Sequence, residues 1–350
     1  MYFPLEKLPV TRYYGSKRRV VEAIWNALNE SAELKFDSFL DLFGGTGIVS
    51  YYMLSKGKHV CYNDLFSFNC ENAKALLATP KNTFSIEDAL SLLNRYDSVQ
   101  YADVIERNYH DIYYLDEENR IIDTVVQNIQ YLPYEKRACA YYILNQTCLI
   151  KRPFNIFHRR NLNLRLNHQH SSFGNYVTWE KGFEQLFTQF TEELNTFQFE
   201  NPHDISISNT DALACDLNYD LVYIDPPYFN DGTPISYHSR YHFLEGLIHY
   251  EDIENHINRR KANLEIDING SSDFENKVTF IQNLRKLFAR YKKSILALSY
   301  TTNGYPSIEE LAETMSEYKR EVQVISLGKK PFALNRKNEG REEVLVIGKS

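Results

Sequence analysis

The sequence lacks the features that mark secreted, membrane-spanning and metal-binding proteins. Its five cysteines are widely spaced, odd in number and form no Cys-x-x-Cys pair, which favours free thiols in a reducing cytoplasm over disulfides or zinc. No apolar run approaches the ~20 residues that a bilayer requires, and the first residues lack the basic-then-apolar order of a secretory signal. We therefore expect a cytoplasmic protein with no metal site and no membrane partner.

An excess of positive charge is also missing. The 39 Lys and Arg against 46 Asp and Glu give a net charge of -7. This argues weakly against a nucleic-acid partner, although binding depends on the local field and not on the total charge. The chain has 350 residues, of which 43% are hydrophobic and 24% charged, so it is long enough for a large core and two lobes.

Strand-like and helix-like segments alternate at both ends of the chain. Strand patterns cover residues 38–43, 58–62, 204–208, 221–224 and 295–299. Helix patterns cover residues 48–55, 66–77 and 274–291, and an antiparallel pair fits residues 321–327 and 342–347. The alternation predicts an α/β fold, with a doubly wound, mostly parallel sheet whose last strand is antiparallel.

A long insertion, roughly residues 81–202, interrupts this alternation. Residues 97–130 are acidic and helical in pattern, and a second helix fits residues 134–149. Residues 150–170 then contain no Asp or Glu, but carry Lys151, Arg152, Arg159, Arg160 and Arg165. A charge run is usually a solvated loop. Here its length, its interleaved phenylalanines and asparagines and its contrast with the acidic surroundings favour contact with nucleic acid.

His168-Gln169-His170 also lies in this stretch. No carboxylate or cysteine accompanies the two histidines, so we do not interpret them as a metal site.

The segment Asp225-Pro226-Pro227-Tyr228 follows a short apolar run at residues 219–224. Such a run is typical of a buried parallel strand, and two prolines end it because neither can donate to the ladder. A carboxylate and an aromatic ring are thus predicted at the carboxyl end of a central strand, where open α/β sheets hold their ligands. Taken alone, the segment fits a plain turn equally well.

A glycine-rich turn follows the first predicted strand, in the sequence Phe-Leu-Asp-Leu-Phe-Gly-Gly-Thr-Gly at residues 39–47. Glycines at this point let a ligand approach the backbone, although the spacing is not Gly-x-Gly-x-x-Gly. Asp64 lies twenty residues after Gly44, where an acidic group is placed to bind ribose hydroxyls. Together they favour an adenosine-containing ligand over a simple turn and a helix N-cap.

Two further segments leave alternatives open. Lys17, in Tyr14-Gly15-Ser16-Lys17 before the first helix, is either a solvated surface residue or a ligand-binding residue. Asp211 follows a predicted strand and either caps a helix or accepts a hydrogen bond from a bound adenine.

In this order, the motifs resemble those of the D12-class, Dam-like DNA adenine-N6 methyltransferases, in the arrangement of their α group. The similarity lies in residues 11–78 and 205–350, and Ser16 departs from it because the family often has a second glycine there. It rests on Tyr14-Gly15-Ser16-Lys17, Asp41-Leu42-Phe43-Gly44-Gly45-Thr46-Gly47, Asn63-Asp64, Asp211, Asp225-Pro226-Pro227-Tyr228 and Leu298-Ser299-Tyr300-Thr301-Thr302-Asn303-Gly304.

The resemblance implies a Rossmann-like catalytic domain at residues 1–80 and 203–350 and a largely helical target-recognition region at residues 81–202. It implies S-adenosyl-L-methionine as cofactor, double-stranded DNA as substrate and a bacterial, nucleoid-associated enzyme. The enzyme would be either the modification enzyme of a restriction-modification system, with a cognate restriction endonuclease as functional partner, or an orphan methylase. An N-methyltransferase acting on RNA or cytosine N4, or a non-catalytic DNA-binding regulator, remains as an alternative.

The resemblance also implies roles for single residues. The Asp225 carboxylate and the Pro226 carbonyl would accept hydrogen bonds from the adenine amine. Pro227 would belong to the same catalytic segment, and Tyr228 would stack on the flipped base. Lys151, Arg152, Arg159, Arg160 and Arg165 would contact DNA, and the last three are the candidates for reading bases. The cofactor would be bound by Tyr14, Gly15, Lys17, Asp41, Phe43, Gly44, Gly45, Thr46, Gly47, Asp64, Asp211 and Asp225.

Overall fold

A computed structural model describes residues 8–167, 176–230, 233–270, 272–329 and 342–350. His168-Gln169-His170 therefore lies outside the described residues. The strands are β1 (Ser38–Asp41), β2 (His59–Asp64), β3 (Ile205–Asn209), β4 (Leu221–Ile224), β5 (Phe229–Asn230), β6 (Thr233–Pro234), β7 (Ile295–Thr301), β8 (Glu321–Lys329) and β9 (Glu342–Lys349).

Helices connect these strands and fill the insertion. They are α1 (Val21–Asn26), α2 (Ile48–Ser55), α3 (Ser67–Ala73), α4 (Ile86–Ser91), α5 (Val104–Asn108), α6 (Asp116–Ile129), α7 (Tyr134–Ile150), α8 (Leu162–Leu166), α9 (Phe183–Phe197), α10 (Tyr237–Ile248), α11 (Ile253–His256), α12 (Phe280–Arg290) and α13 (Ile308–Ser316). Among the described residues, no helix has both the length and the apolar content needed to cross a bilayer.

The seven-stranded sheet has the order β3-β2-β1-β4-β7-β9-β8. Strands β1, β2, β3, β4 and β7 run parallel, and β9 pairs antiparallel with both β7 and β8. The predicted doubly wound α/β sheet with an antiparallel last strand is thus confirmed. Chain order reverses between β1 and β4, the point at which sheets of this kind form a ligand crevice.

Side chains of the central strand alternate between two hydrophobic cores, one on each face of the sheet. Leu221 and Tyr223 belong to the larger core, whereas Val222 and Ile224 belong to the smaller one. This alternation follows from the period of two in a strand. All four residues are buried, so β4 reads as a continuous apolar run.

The insertion is helical, but it shares the larger core with the sheet. Val125, Leu144 and Phe187 belong to the same buried cluster as Phe39 of β1. The predicted helix over residues 97–130 is instead divided into α5 and α6. The division occurs where Asp111 adopts a left-handed backbone conformation, with φ of 55°. The proposed boundary at residues 81–202 therefore remains a prediction.

Residues that follow β4 also pack on the insertion. The Tyr113 hydroxyl donates to the Asn263 carbonyl at 2.8 Å and contacts His242 Nε2 at 2.9 Å. The Phe157 amide donates to the Arg240 carbonyl at 2.9 Å. These contacts join α10 and the segment after it to two parts of the insertion, at Tyr113 and at Phe157 of the basic stretch, a link that the sequence did not predict.

Candidate active site

A cleft of about 820 Å³ opens at the carboxyl ends of the parallel strands. It is lined by every residue predicted to bind the cofactor except Gly47, which is the N-cap of α2 and has a φ of 70°. The cleft thus brings together motifs that lie far apart in the chain, because parallel strands end at one edge of the sheet. Its lining also includes Tyr13, Tyr237 and Glu275, which sequence reasoning missed.

The glycine turn is held close to β2. A Cβ added to Gly44 would lie 2.1 Å from the Tyr62 ring, so no larger residue fits there without a shift. The amides of Gly45 and Phe66 donate to the Asp64 carboxylate at 2.8 and 2.9 Å. Burial raises the pKa of Asp64 to about 6, although these two amides oppose the rise. Asp64 therefore stabilises the local turns and also lines the cleft.

Two other carboxylates face the same cleft. Asp41 is buried and accepts a hydrogen bond from the Ser50 hydroxyl at 2.7 Å, and burial raises its pKa to about 7. Asp211 accepts from the Leu213 amide at 2.7 Å within a turn, and no helix of the described residues begins there, so this carboxylate does not cap a helix. Lining the cleft leaves Asp211 available for a ligand, and that role remains a prediction.

Asp225 lies directly after β4 in a compact polar cluster. Lys17 Nζ lies 2.8 Å from Asp225 Oδ1, and the Tyr228 hydroxyl donates to the same oxygen at 2.9 Å. Lys17 also donates to the Tyr228 hydroxyl at 2.6 Å. Lys17 is only 4% exposed, which excludes the solvated-surface alternative. Burial would lower its pKa, but Asp225 and Glu343 raise it, so Lys17 is a cation.

The turn after Asp225 is rigid. Pro226 and Pro227 are buried, and Tyr228 is half-buried. The Tyr228 ring packs against the Tyr300 ring, with the two centroids 4.9 Å apart. Lys17 Nζ lies over the Tyr228 ring, 4.6 Å from its centroid. The hydroxyl of Tyr228 is thus committed to the polar cluster, whereas stacking of its ring on a base remains a prediction.

A group of tyrosines borders the cleft on the side of α10. Tyr13 stacks on Tyr241 with centroids 4.1 Å apart, and the Tyr14 amide donates to the Tyr241 hydroxyl at 2.7 Å. Tyr237 stacks on Tyr13 at 5.7 Å. The available signal was the spacing of Tyr237 and Tyr241, since residues four apart share one face of a helix.

The basic stretch separates into buried and exposed residues. Lys151, Arg152 and Arg165 are at most 8% exposed, whereas Arg159 and Arg160 are exposed. Because buried side chains cannot reach a phosphate, the prediction that Lys151, Arg152 and Arg165 contact DNA is wrong for this structure.

The buried residues of this stretch bind protein groups instead. Arg165 forms a bidentate pair with Glu118 at 2.8 and 2.9 Å, and Lys151 lies 2.9 Å from the same carboxylate. Arg152 lies over the Tyr113 ring at 4.4 Å and donates to the Arg159 carbonyl at 3.1 Å. These residues fix the base of the segment that carries Arg159 and Arg160.

The sequence of the chain is similar to those of known methyltransferases. The Type II methyltransferase M2.HphI of Haemophilus parahaemolyticus is 25% identical over 331 residues, covering 91% of both chains. The modification methylase StsI of Streptococcus sanguinis is 26% identical over 332 residues, and this chain spans 46% of its length. The Type II methyltransferase M.CviAII of Paramecium bursaria Chlorella virus 1 is 21% identical over 316 residues, covering 87% of this chain and 88% of that protein.

Among solved structures, an rRNA methyltransferase from Streptomyces viridochromogenes covers 99% of this chain and 90% of its own. Its sequence identity to this chain is 11%, and the TM-score is 0.33. The model of the family described as "D12 class N6 adenine-specific DNA methyltransferase" matches residues 13–312. This match covers most of the chain, from the tyrosines before Lys17 through Asp225 to α13, and the chain therefore belongs to the D12 class of N6 adenine-specific DNA methyltransferases.

Proposed function

We propose that this D12-class enzyme uses S-adenosyl-L-methionine as its methyl donor. We further propose that the enzyme methylates N6 of an adenine that is flipped out of duplex DNA. The observation that carries the proposal is the position of Asp225. Its carboxylate lies at the end of β4 in the same cleft as the glycine turn and Asp64. A base inside a duplex cannot reach such a cleft, so the target adenine must leave the stack.

The residues of the cleft fit this cofactor. Gly44 and Gly45, which line the cleft, would border its methionine part. Asp64 would accept hydrogen bonds from the ribose hydroxyls, and Asp211 from the adenine amine. When bound, the cofactor supplies a methyl group that is already activated for transfer.

The remaining work falls to residues around Asp225. The Asp225 carboxylate and the Pro226 carbonyl would accept hydrogen bonds from the N6 amino group and aim its lone pair at the donor. Positive charge develops on this nitrogen during transfer, and acceptors fixed in advance stabilise it without reorganising. Tyr228 would pack against the base, and Lys17 would hold both Asp225 and Tyr228 in place. Positioning then supplies much of the rate.

The proposed function is tested by long-read sequencing of DNA from cells that lack adenine methylation and express this protein. We expect methylation at N6 of adenine within one short recognition sequence. Modified cytosine, or modification confined to RNA, would contradict the proposal and favour the alternative acceptors. Unmodified DNA and RNA from cells that contain the folded protein would favour a non-catalytic regulator.

We further propose that the enzyme is the modification component of a restriction-modification system. The support comes from the names of its relatives, since M2.HphI is a Type II methyltransferase and StsI is a modification methylase. The cognate endonuclease would be a functional partner, whose cleavage the methylation of the shared site would block.

We also propose that Arg159 and Arg160 contact the DNA backbone or bases. Both are exposed, on a segment that Arg152 and Phe157 fix to the protein. The link from Phe157 to Arg240 brings this segment toward the cleft, because Arg240 lies 4.0 Å over the ring of Tyr14. Tyr14 lines the cleft, so an arginine here can meet DNA near the flipped base.

Replacing Arg159 and Arg160 together by alanine should weaken DNA binding and reduce its salt dependence. Each lost phosphate contact lowers the magnitude of the slope of log K against log [salt] by about 0.9. Two contacts would therefore reduce it by about 2. The measurement is the affinity for a duplex at a series of salt concentrations.

The matched control for this pair is Lys292→Ala with Lys293→Ala. Both lysines are exposed and directly precede the strand β7, at the edge of the sheet opposite the cleft. The control removes the same charge, and its slope should stay near that of the unaltered protein. Equal slopes for the two double variants would remove Arg159 and Arg160 from the interface.

A further inference from the structure

A second buried carboxylate, that of Glu343, lies beside Asp225. Glu343 is 1% exposed, and its strand β9 runs antiparallel to β7, with Glu343 opposite Thr301. Its Oε2 accepts a hydrogen bond from the Tyr228 hydroxyl at 3.1 Å. Its Oε1 lies 3.7 Å from Lys17 Nζ. Antiparallel pairing therefore brings a residue from the end of the chain to the carboxyl edge of the parallel strands.

The charges of this cluster do not cancel. Asp225 and Glu343 are two carboxylates, and Lys17 lies within ion-pair distance of both. With all three groups ionised, the cluster carries one net negative charge. Asp225 with Lys17 alone would form a neutral pair, whose field on a cation a few ångströms away is much weaker than that of a free carboxylate.

We propose that Glu343 is a positioning residue that shares the Lys17 ammonium with Asp225, so that the catalytic cluster keeps a net negative charge. The inference rests on the proposed role of Asp225 as the acceptor of the adenine amine. The negative charge matters because the amine nitrogen becomes positive during transfer. Glu343 also fixes the Tyr228 hydroxyl by accepting its hydrogen bond. This hydroxyl lies between the two carboxylates and has one proton to donate.

The titration of Asp225 agrees with this arrangement. Burial and the charge of Glu343 raise the pKa of Asp225, and Lys17 acts in the opposite direction. Removing the Glu343 charge therefore lowers that pKa. The other titratable groups whose charge interacts with Asp225 are Asp41, Tyr223, Tyr228 and Tyr237.

The test is Glu343→Gln, which keeps the shape of the side chain and an oxygen for Tyr228. We expect the single-turnover rate of methyl transfer to fall on the order of tenfold to a hundredfold. Cofactor affinity should change by no more than a few-fold. The acidic limb of the rate profile should move to lower pH, because Asp225 ionises more readily without the second carboxylate. Glu343→Asp, which keeps the charge, should retain more of the rate than Glu343→Gln.

Glu342→Gln is the matched control, because Glu342 is adjacent on β9 and bonds Ser326 instead. Its rate should equal that of the unaltered enzyme.

Two results would overturn the inference. The first is a normal rate for Glu343→Gln, and the second is equal impairment of Glu343→Asp and Glu343→Gln. Failure of the proposed function looks different, because the unaltered protein would then modify cytosine or RNA, or nothing, and failure of the proposed role of Asp225 would leave Asp225→Ala active. Failure of this inference alone leaves Asp225→Ala inactive.

Discussion

Asp225→Ala is expected to reduce the rate of methyl transfer on the order of a thousandfold, the upper range for loss of one preorganised electrostatic group. The substitution removes the acceptor nearest the proposed position of the adenine amine, together with the charge that stabilises it. The dissociation constant for S-adenosyl-L-methionine should change by no more than a few-fold. Single-turnover transfer of a labelled methyl group measures the rate, and calorimetric titration measures cofactor binding.

The fold should tolerate this change. Lys17 keeps Glu343 as a partner for its buried ammonium, with 3.7 Å between Nζ and Oε1. Asp216→Ala is the matched control, because Asp216 is an exposed carboxylate in the segment that leads into β4. It should transfer methyl groups at the normal rate. Normal transfer by Asp225→Ala would remove Asp225 from the mechanism.

Most strands could be predicted from the sequence because local pattern and burial agree in them. The run at residues 221–224 was predicted as a strand and forms β4 over the same residues. The strands β1, β2 and β3, on one side of β4 in the sheet, end within two residues of their predicted ends. The boundary of α5 depends instead on a distant residue, because Asp123 accepts from the Ile105 and Glu106 amides. No local pattern reports such a cap.

The candidate site likewise contains residues that the sequence could predict and residues that it could not. The glycine turn, Asp64 and Asp225 are recognisable because each lies at or shortly after the end of a strand, and the sheet brings strand ends together. Glu343 gave no such signal, since it lies 115 positions after Tyr228 and opens an antiparallel strand. Tyr237 and Tyr241 reach the cleft through the packing of α10. Contacts of this kind follow from tertiary structure and have no counterpart in local sequence.

The basic stretch shows a further limit of sequence reasoning. A run of cations has the same appearance whether it faces solvent, DNA or a buried carboxylate. Here Glu118 lies 47 positions before Arg165 and on another helix, α6. The acidic character of α6 was recognised, but the pairing of one of its carboxylates with the basic stretch was not. The contrast in charge between the two segments is therefore partly internal to the protein.

Glu118→Gln should accordingly destabilise the protein by about 3 kcal/mol, the lower range for removing one partner from a buried ion pair. Arg165 and Lys151 would keep their buried positive charges without the carboxylate that both contact. Glu118 also accepts from the Leu115 amide at 3.1 Å at the start of α6. The measurement is the free energy of unfolding from chemical denaturation. Glu117→Gln is the control, because Glu117 is adjacent and exposed.

The destabilisation caused by Glu118→Gln should depend on pH, in a direction that follows from the pKa of Glu118. Burial would raise the pKa of Glu118, but Arg165 and Lys151 hold it below the ordinary value of 4.5. A lowered pKa means that the carboxylate stabilises the fold above pH ~4.5 and loses this effect as pH falls through the folded-state pKa. The difference between the unaltered protein and Glu118→Gln should therefore shrink in acid. A difference independent of pH, or no larger than that of Glu117→Gln, would show that the ion pair does not stabilise the insertion.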